Sequence, residues 1–208
     1  MKSKIDSIEN FIKSLSKYEN SSNLTNLYRG NSQLSQIRRE NLKLYFDRMK
    51  KINPSILLLG EAPGYKGCRL TGIPFTSERI LENNEFFKDQ AYKLLNEDQS
   101  LESEISATIV WNELDNYESK ALIWNIFPFH PHKHNNISSN RTPTKEELKQ
   151  GKEYLMQILD IFDIKKIIAL GRKAESKIID MDINNTYVRH PANGGKNEFM
   201  RGLRVEMK

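Results

Sequence analysis

The chain has 208 residues, a formal net charge of +5 and a hydrophobic share of 38%. That length suits one large domain with a full core. No apolar run approaches the roughly 20 residues that span a bilayer, and the first residues lack an apolar signal core, so we expect a cytoplasmic protein without membrane contact. A single cysteine, Cys68, excludes an internal disulfide and a four-cysteine iron–sulfur cluster.

The first quarter of the chain is predicted to be helical. Apolar residues recur at helical spacing over 5–15, which predicts an amphipathic helix. A polar stretch over 20–26 follows, and a second helix is predicted over 34–49, ending before Asn53 and Pro54. We expect residues 1–50 to form a helical extension packed on the core of a single domain over residues 1–208.

Helices and strands alternate through the rest of the chain. Thr144 with Glu147 three residues later forms a capping-box pattern at the start of one helix. Alternation of this kind favours a three-layer α/β/α fold around a central, mainly parallel four-stranded sheet. The predicted elements are a strand over 56–59, a mostly helical segment over 76–96, a mixed segment over 98–116 with a short strand over 107–111, a strand over 121–124, a helix from Thr144 to about Phe162, a strand over 166–170, a helix after Gly171, a strand over 187–189 and a closing helix over 197–203.

Two Gly/Pro-punctuated loops follow predicted strands. The first is GEAPG at 60–64, which carries Glu61, and the second is HPANGG at 190–195, which begins with His190. In a parallel sheet, ligands bind where loops leave the carboxyl ends of the strands. The two loops therefore bring a carboxylate and an imidazole toward one crevice, and such a pair is suited to acid–base chemistry.

A third strand end adds groups that suit a planar ring. Asn125 follows the predicted strand over 121–124, and its amide offers donors and an acceptor in one plane. Phe75, in GIPF at 72–75, follows shortly after the first loop and offers an aromatic face. An amide for the edge and a phenyl ring for the face indicate a nucleobase as the ligand.

With these four segments in this order, the chain resembles the uracil-DNA glycosylase superfamily over roughly residues 52–203. GEAPG looks like its first motif, GIPF like its base-stacking segment, Asn125 like its uracil-reading asparagine and the His190–Pro191 pair like its C-terminal motif. The resemblance implies the fold of that superfamily, in a branch without iron–sulfur cysteines. It also implies base flipping and hydrolysis of the N-glycosidic bond of uracil in DNA repair, with no cofactor or metal.

The resemblance implies a role for each residue of the pocket. Glu61 positions water and supports the cationic sugar, and His190 stabilises the departing base. Phe75 stacks on the base and Asn125 reads its edge. Ala62, through its backbone N–H, and Gly64 complete the binding site for the base.

The expected partner is DNA, single-stranded or as a uracil-containing duplex, bound by a monomer. The loop after His190 enters the minor groove in the superfamily, which implies DNA contacts for Asn193 and Gly194. Arg141 and Lys196 are expected to bind phosphates near the crevice.

Each assignment has a structural alternative that the sequence leaves open. Glu61 can cap the following turn, His190 can be fixed inside a turn, Asn125 can satisfy strand-end backbone groups and Phe75 can belong to the core. The loop after His190 can be a plain Asn-Gly turn. The alternating histidines at 130, 132 and 134 resemble a zinc-binding pattern, but no Cys or acid lies nearby in sequence, so we predict no metal site.

Two further observations leave the substrate open. In one superfamily branch a Tyr at the end of the first motif blocks the methyl group of thymine, whereas Gly64 occupies that place here, which favours a larger or modified base as an alternative substrate. The superfamily often has a second acid a few positions after Glu61, but positions 65–67 are Tyr, Lys and Gly. An inactive DNA-binding module is therefore the alternative to an enzyme.

Overall fold

The structure, a computed structural model, describes residues 4–95 and 104–208. In chain order its elements are α1 (Lys4–Leu15), β1 (Leu24–Thr25), α2 (Gln33–Ile52), β2 (Ile56–Gly60), α3 (Cys68–Thr71), α4 (Glu78–Asn83), α5 (Glu85–Lys88), α6 (Ile105–Leu114), β3 (Leu122–Asn125), β4 (His130–Pro131), α7 (Lys145–Ile161), β5 (Lys166–Leu170), α8 (Arg172–Asp180), β6 (Thr186–Val188) and α9 (Lys196–Glu206).

The core is a four-stranded parallel sheet in the order β3-β2-β5-β6. Leu57 pairs with Leu122 on one side and with Ile167 on the other. The central strands are almost entirely buried, as expected when helices cover both faces of a parallel sheet. The predicted fold class is therefore confirmed. Among the described residues, no helix is long and apolar enough to cross a membrane.

The start of α7 follows the sequence prediction closely. Glu147 N–H donates to Thr144 Oγ1 at 3.2 Å, and Thr144 N–H donates to the Glu147 carboxylate at 2.7 Å. This capping box satisfies two donors that the helix itself leaves unpaired. The helix ends at Ile161, one residue before the predicted limit.

The predicted strand over 107–111 is wrong, because those residues lie in α6. The run contains β-branched residues, which favour strands in isolation. Its buried positions, Ala107, Val110, Trp111 and Leu114, instead fall at helical spacing and form one apolar face. Burial of that face outweighs the local strand propensity.

The mostly helical segment predicted over 76–96 contains two short helices, α4 and α5, and no helix over 89–95. Residue 96 lies outside the described residues, as do positions 98–103 of the mixed segment. The remaining strands and helices fall within a few residues of their predicted limits.

Residues before β2 pack against the segment that leads to Phe75. Tyr28 Oη donates to the Gly72 carbonyl at 2.9 Å, and the Asn41 side-chain amide donates to the Thr71 carbonyl at 3.0 Å. Gly72 has φ +79, and a Cβ there would lie 2.6 Å from the Arg38 carbonyl oxygen. Helix α2 therefore contacts this segment backbone to backbone. The division into one domain stays a prediction.

Candidate active site

The strand order places a crevice at the carboxyl ends of β2 and β5. The chain leaves β2 for β3 on one side and returns to β5 on the other, so the sheet has a topological switch point there. A cleft of about 560 Å³ occupies this position. Its lining residues are Glu61, Ala62, Phe75, Asn140, Leu170, Gly171, Arg172, Lys173, Tyr187, Arg189, His190, Ala192 and Asn193.

Backbone pairing fixes Asn125 beside the first motif. Gly60 and Asn125 are register partners at the ends of β2 and β3. The pairing continues past both strands, because Ile126 N–H donates to the Gly60 carbonyl at 2.9 Å and Phe127 N–H donates to the Glu61 carbonyl at 3.0 Å. The start of the GEAPG loop is thus held by the neighbouring strand.

Two of the predicted site residues meet over Gly60. A Cβ on residue 60 would lie 2.5 Å from Cε2 of Phe75 and 2.6 Å from Oδ1 of Asn125. Real Cβ atoms are not found at such distances, so only glycine permits the phenyl ring and the amide to approach this strand end together. The structure therefore brings together the group predicted for the face of a ring and the group predicted for its edge.

Phe75 has an unusual backbone conformation. Its φ of 51° is in the left-handed region, which is uncommon for a residue with a side chain. The indole N–H of Trp111, on α6, donates to the Phe75 carbonyl at 2.9 Å. This hydrogen bond helps hold the strained residue, and strain of this kind is concentrated at functional sites.

His190 faces Phe75 across the cleft, with ring centroids 6.0 Å apart. The Ala192 N–H donates to Nδ1 at 3.1 Å, so Nδ1 is an acceptor and the neutral ring carries its proton on Nε2. Burial lowers the pKa of His190, and the nearby Arg189 lowers it further. The neutral ring therefore presents its Nε2–H as a donor, for which the described residues supply no hydrogen-bond acceptor.

Glu61 presents a carboxylate to the same cleft. Its Oε1 is buried and has no hydrogen-bond partner in the described part of the chain. Burial raises the pKa of Glu61 above its ordinary value, while Lys173 and Lys177 oppose that rise through their positive charge. An acceptor kept without a partner is unusual in a folded protein and is available for a ligand or water.

Asn125 lies deeper than the residues that line the cleft. It is 2% exposed, and its Oδ1 has no partner among residues 4–95 and 104–208. A strand-end role in satisfying backbone groups would have given that oxygen a donor. The unpaired acceptor beside Gly60 instead favours the recognition role predicted for Asn125.

The comparisons with known proteins agree with this geometry. A family model described as the uracil DNA glycosylase superfamily matches residues 46–203. The chain belongs to that superfamily. The predicted resemblance is thus confirmed, and family membership places the chain among DNA glycosylases, which hydrolyse N-glycosidic bonds. A search of curated proteins found no match.

A solved structure supports the fold independently. The crystal structure of wild-type SMUG2 from Pedobacter heparinus is similar to this chain with a TM-score of 0.72. The match covers 100% of this chain and 97% of that chain, at 16% sequence identity. At that identity the likeness concerns the fold.

In this superfamily member, side chains from a distant loop hold the first motif in place. The two ring nitrogens of His130 lie 3.0 Å from the Pro63 carbonyl and 2.9 Å from the Ile137 carbonyl. Tyr65 N–H donates to Asn140 Oδ1 at 2.9 Å. Gly64 lies at the edge of this contact, where a Cβ would be 3.7 Å from the Asn140 amide.

The alternating histidines have separate environments. His130 contacts the first motif, whereas His132 is buried with Nε2 3.0 Å from Thr25 Oγ1 and Nδ1 2.9 Å from the Lys133 carbonyl. His134 is exposed. Polar contacts within the protein thus surround the nitrogens of both buried rings, and a neutral His130 donates its single N–H to one of its two carbonyls.

The structure does not support the predicted phosphate contact of Arg141. Its guanidinium donates to both carboxylate oxygens of Glu147, at 2.7 and 2.6 Å, and also to the carbonyls of Asn23, His132 and Thr142. These acceptors occupy the donors that a phosphate would need. Arg141 therefore connects the start of α7 to the N-terminal segment.

The loop after His190 forms a tight, exposed turn. Asn193 and Gly194 both have positive φ, 52° and 76°, as the Asn-Gly pair predicts. Asn193 lines the cleft, Gly194 has open space around its Cα, and Lys196 is exposed at the start of α9. All three remain predicted DNA contacts.

Sequence reasoning missed residues that act through tertiary contact. Trp111 was assigned to a strand, and nothing in the sequence relates its indole to Phe75. Lys173 and Lys177 lower the pKa of Glu61, against the larger effect of burial, because of the direction in which α8 runs after β5, and that direction is a property of the tertiary structure.

We expect Arg141→Ala to lower the free energy of unfolding by about 2 kcal/mol or more, because it leaves the Glu147 carboxylate without its cation. Chemical denaturation measures this change. The matched control is Lys196→Ala, an exposed site where we expect a change within about 0.5 kcal/mol. Equal, small effects of both variants would return Arg141 to the candidates for phosphate binding.

Proposed function

We propose that the chain is a DNA glycosylase that hydrolyses the N-glycosidic bond of a flipped uracil and leaves an abasic site. The main support is the convergence of Phe75 and Asn125 over Gly60, one residue before Glu61. A ring face and an unpaired amide acceptor at one point suit a planar base with amide-like edges.

In this proposal the base enters the cleft and is recognised at its face and edge. Phe75 stacks on the ring, and Asn125 makes hydrogen bonds to its Watson–Crick edge. The backbone N–H groups of Glu61 and Ala62 donate to a base carbonyl. Gly64 contributes no side chain, so the rim of the pocket at this position stays open.

The bond between base and sugar breaks with charge separation. The sugar becomes cationic and the base anionic, and each charge has a matching group. Glu61, when ionised, stabilises the sugar cation and positions water, whose hydroxyl adds to the sugar carbon while its proton passes to the departing base. The Nε2–H of neutral His190 donates to the base oxygen on which negative charge develops.

The depressed pKa of His190 suits this role. A ring that stays neutral at physiological pH donates one hydrogen bond without transferring a proton to the base in the ground state. The Ala192 N–H fixes the tautomer from the other side of the ring, at 3.1 Å. No cofactor or metal enters any step of the proposal.

DNA contacts are proposed at the turn after His190. Asn193 lines the cleft and is exposed, so it is placed to fill the gap that a flipped nucleotide leaves. Gly194 lets the backbone approach the strand, and Lys196 contacts a phosphate. A polar tip of this kind suits single-stranded or mismatched DNA better than a fully paired duplex.

A second candidate is the same reaction on a base larger than uracil. The specific observation is the missing side chain at position 64, where an added Cβ would meet Asn140 at an ordinary contact distance of 3.7 Å. A damaged or hypermodified base then fits where a Tyr would exclude it. The proposed chemistry at the glycosidic bond is unchanged.

The proposed function is tested with oligonucleotides that carry uracil, hypoxanthine, xanthine or modified cytosines, in single-stranded and mismatched form. We expect single-turnover excision of uracil, and Glu61→Gln and His190→Ala each to slow it by about a hundredfold because each removes one preorganised charge-stabilising group. Excision by His190→Ala at the parent rate would refute its role. Binding without excision of any base would identify an inactive DNA-binding module.

Lys173→Ala should change the pH dependence of excision. Removing this positive charge raises the pKa of Glu61 further above its ordinary value, so the ionised form is lost at a higher pH. We expect slower single-turnover excision at mildly acidic pH and the parent rate at high pH. In a Glu61→Gln background, Lys173→Ala should produce no shift. A uniform loss across the pH range would show that Lys173 does not act through Glu61.

Gly64→Tyr separates the two candidate substrates. The Cβ has room, so the variant is expected to fold, while the phenol narrows the rim of the pocket. We expect excision of uracil to persist and excision of a larger base to fall by about 10-fold or more. Gly64→Ala is the matched control and should preserve both activities. Equal losses on both bases would show that position 64 does not select the base.

A further inference from the structure

A second concave surface lies beside the cleft, between α7 and α8. We call it the lysine groove. It has a volume of about 460 Å³ and is lined by Lys145, Leu148, Lys149, Lys152, Lys177, Asp180 and Met181. Buried Leu148 and Met181 supply apolar surface, and four of the seven lining residues are lysines. The groove is therefore strongly basic.

Three of the four lysines form a row on α7, and the fourth, Lys177, lies on α8. On α7, Lys145, Lys149 and Lys152 follow at i, i+4 and i+7 and so share one face. Like charges at this spacing repel each other on the surface of a helix, and an anionic partner would relieve that repulsion.

Acidic side chains neutralise little of this charge. Asp180 is the one acid among the lining residues, and it lies 4.0 Å from Lys177. Within the part of the chain that the structure describes, Lys145, Lys149 and Lys152 form no ion pair, although the Lys152 ammonium donates to the Met181 carbonyl at 2.8 Å. Lys145 and Lys149 are exposed.

The lysine groove is continuous with the cleft through α8. Lys173 lines the cleft, and Lys177, which follows one helical turn later, lines the groove. Four residues along a helix correspond to about 6 Å. Both lysines also act electrostatically on Glu61. A chain of phosphates that passes the cleft therefore meets positive charge without interruption as far as α7.

We propose that the lysine groove is a second binding surface for the DNA phosphate backbone, which holds the strand that flanks the flipped nucleotide. The proposal rests on the proposed function, because it takes DNA as the ligand of the adjacent cleft. It assigns to Lys145, Lys149, Lys152 and Lys177 contacts with phosphates that lie outside the catalytic site. The bases have no part in this contact, so it is independent of sequence and of the lesion.

The test is the double variant Lys145→Glu/Lys149→Glu, whose two positions are exposed and outside the cleft. The matched control is Lys51→Glu/Lys165→Glu, which reverses two exposed lysines at the amino end of the sheet. Fluorescence anisotropy measures the binding of undamaged DNA oligonucleotides of about 5 and about 25 nucleotides, the first long enough for the cleft alone.

We expect the double variant to bind the long oligonucleotide about 10-fold or more weakly than the parent does. The slope of log affinity against log salt concentration should be smaller by between about 1.4 and about 1.8. Binding of the short oligonucleotide should equal that of the parent. The control variant should bind both like the parent. Equal losses on both lengths, no loss on the long one, or an equal loss in the control would overturn the proposal.

This measurement needs no excision, so it separates the groove from the proposed reaction. If no base is excised but the long oligonucleotide loses affinity as stated, the groove stands and the catalytic proposal fails. If uracil is excised from a separate, uracil-carrying oligonucleotide and the double variant shows no length-dependent loss on the undamaged ones, the catalytic proposal stands and the groove fails.

Discussion

The site depends on the absence of a side chain at one strand end. Gly60 ends β2, and the space where its Cβ would lie is occupied by the edge of the Phe75 ring and by the Asn125 amide oxygen. Backbone pairing between β2 and β3 brings Asn125 there, and the 72–75 segment brings Phe75. Even alanine at this position would push the two apart. The glycine therefore determines how closely the Phe75 ring and the Asn125 amide approach, and Glu61 follows it by one residue.

The cleft retains features that reduce the stability of the fold. Phe75 has a strained backbone, and the buried oxygens of Glu61 and Asn125 lack partners in the described part of the chain. Each of these features would be costly in an ordinary core. Contacts from outside the cleft compensate, through Trp111 at Phe75 and His130 at the first motif. Rigidity is thus supplied by neighbouring elements, while the acceptors themselves stay available.

Local patterns predicted much of this molecule, and tertiary contacts explain the rest. The capping box at Thr144, the buried strands and the loops after β2, β3 and β6 are encoded within short segments, so they could be identified from sequence. Distant partners decide the outcome at two other points. Helix α6 forms in place of the predicted strand because one face is buried against the core, and the donors of Arg141 are taken up by Glu147 and by backbone carbonyls. The effect of Lys173 on the pKa of Glu61 also depends on a tertiary contact, because it exists only when α8 packs in its folded position.

The contacts of α2 bear on how members of this superfamily diverge. The matched family region begins at residue 46, yet Tyr28, Arg38 and Asn41 contact the segment that leads to Phe75. The position of Phe75, the proposed platform for the base, therefore depends on residues outside the matched family region. Under the proposed function, a different N-terminal segment would change how Phe75 meets the base while every motif residue is kept. A fragment that begins at residue 46 would lack these contacts.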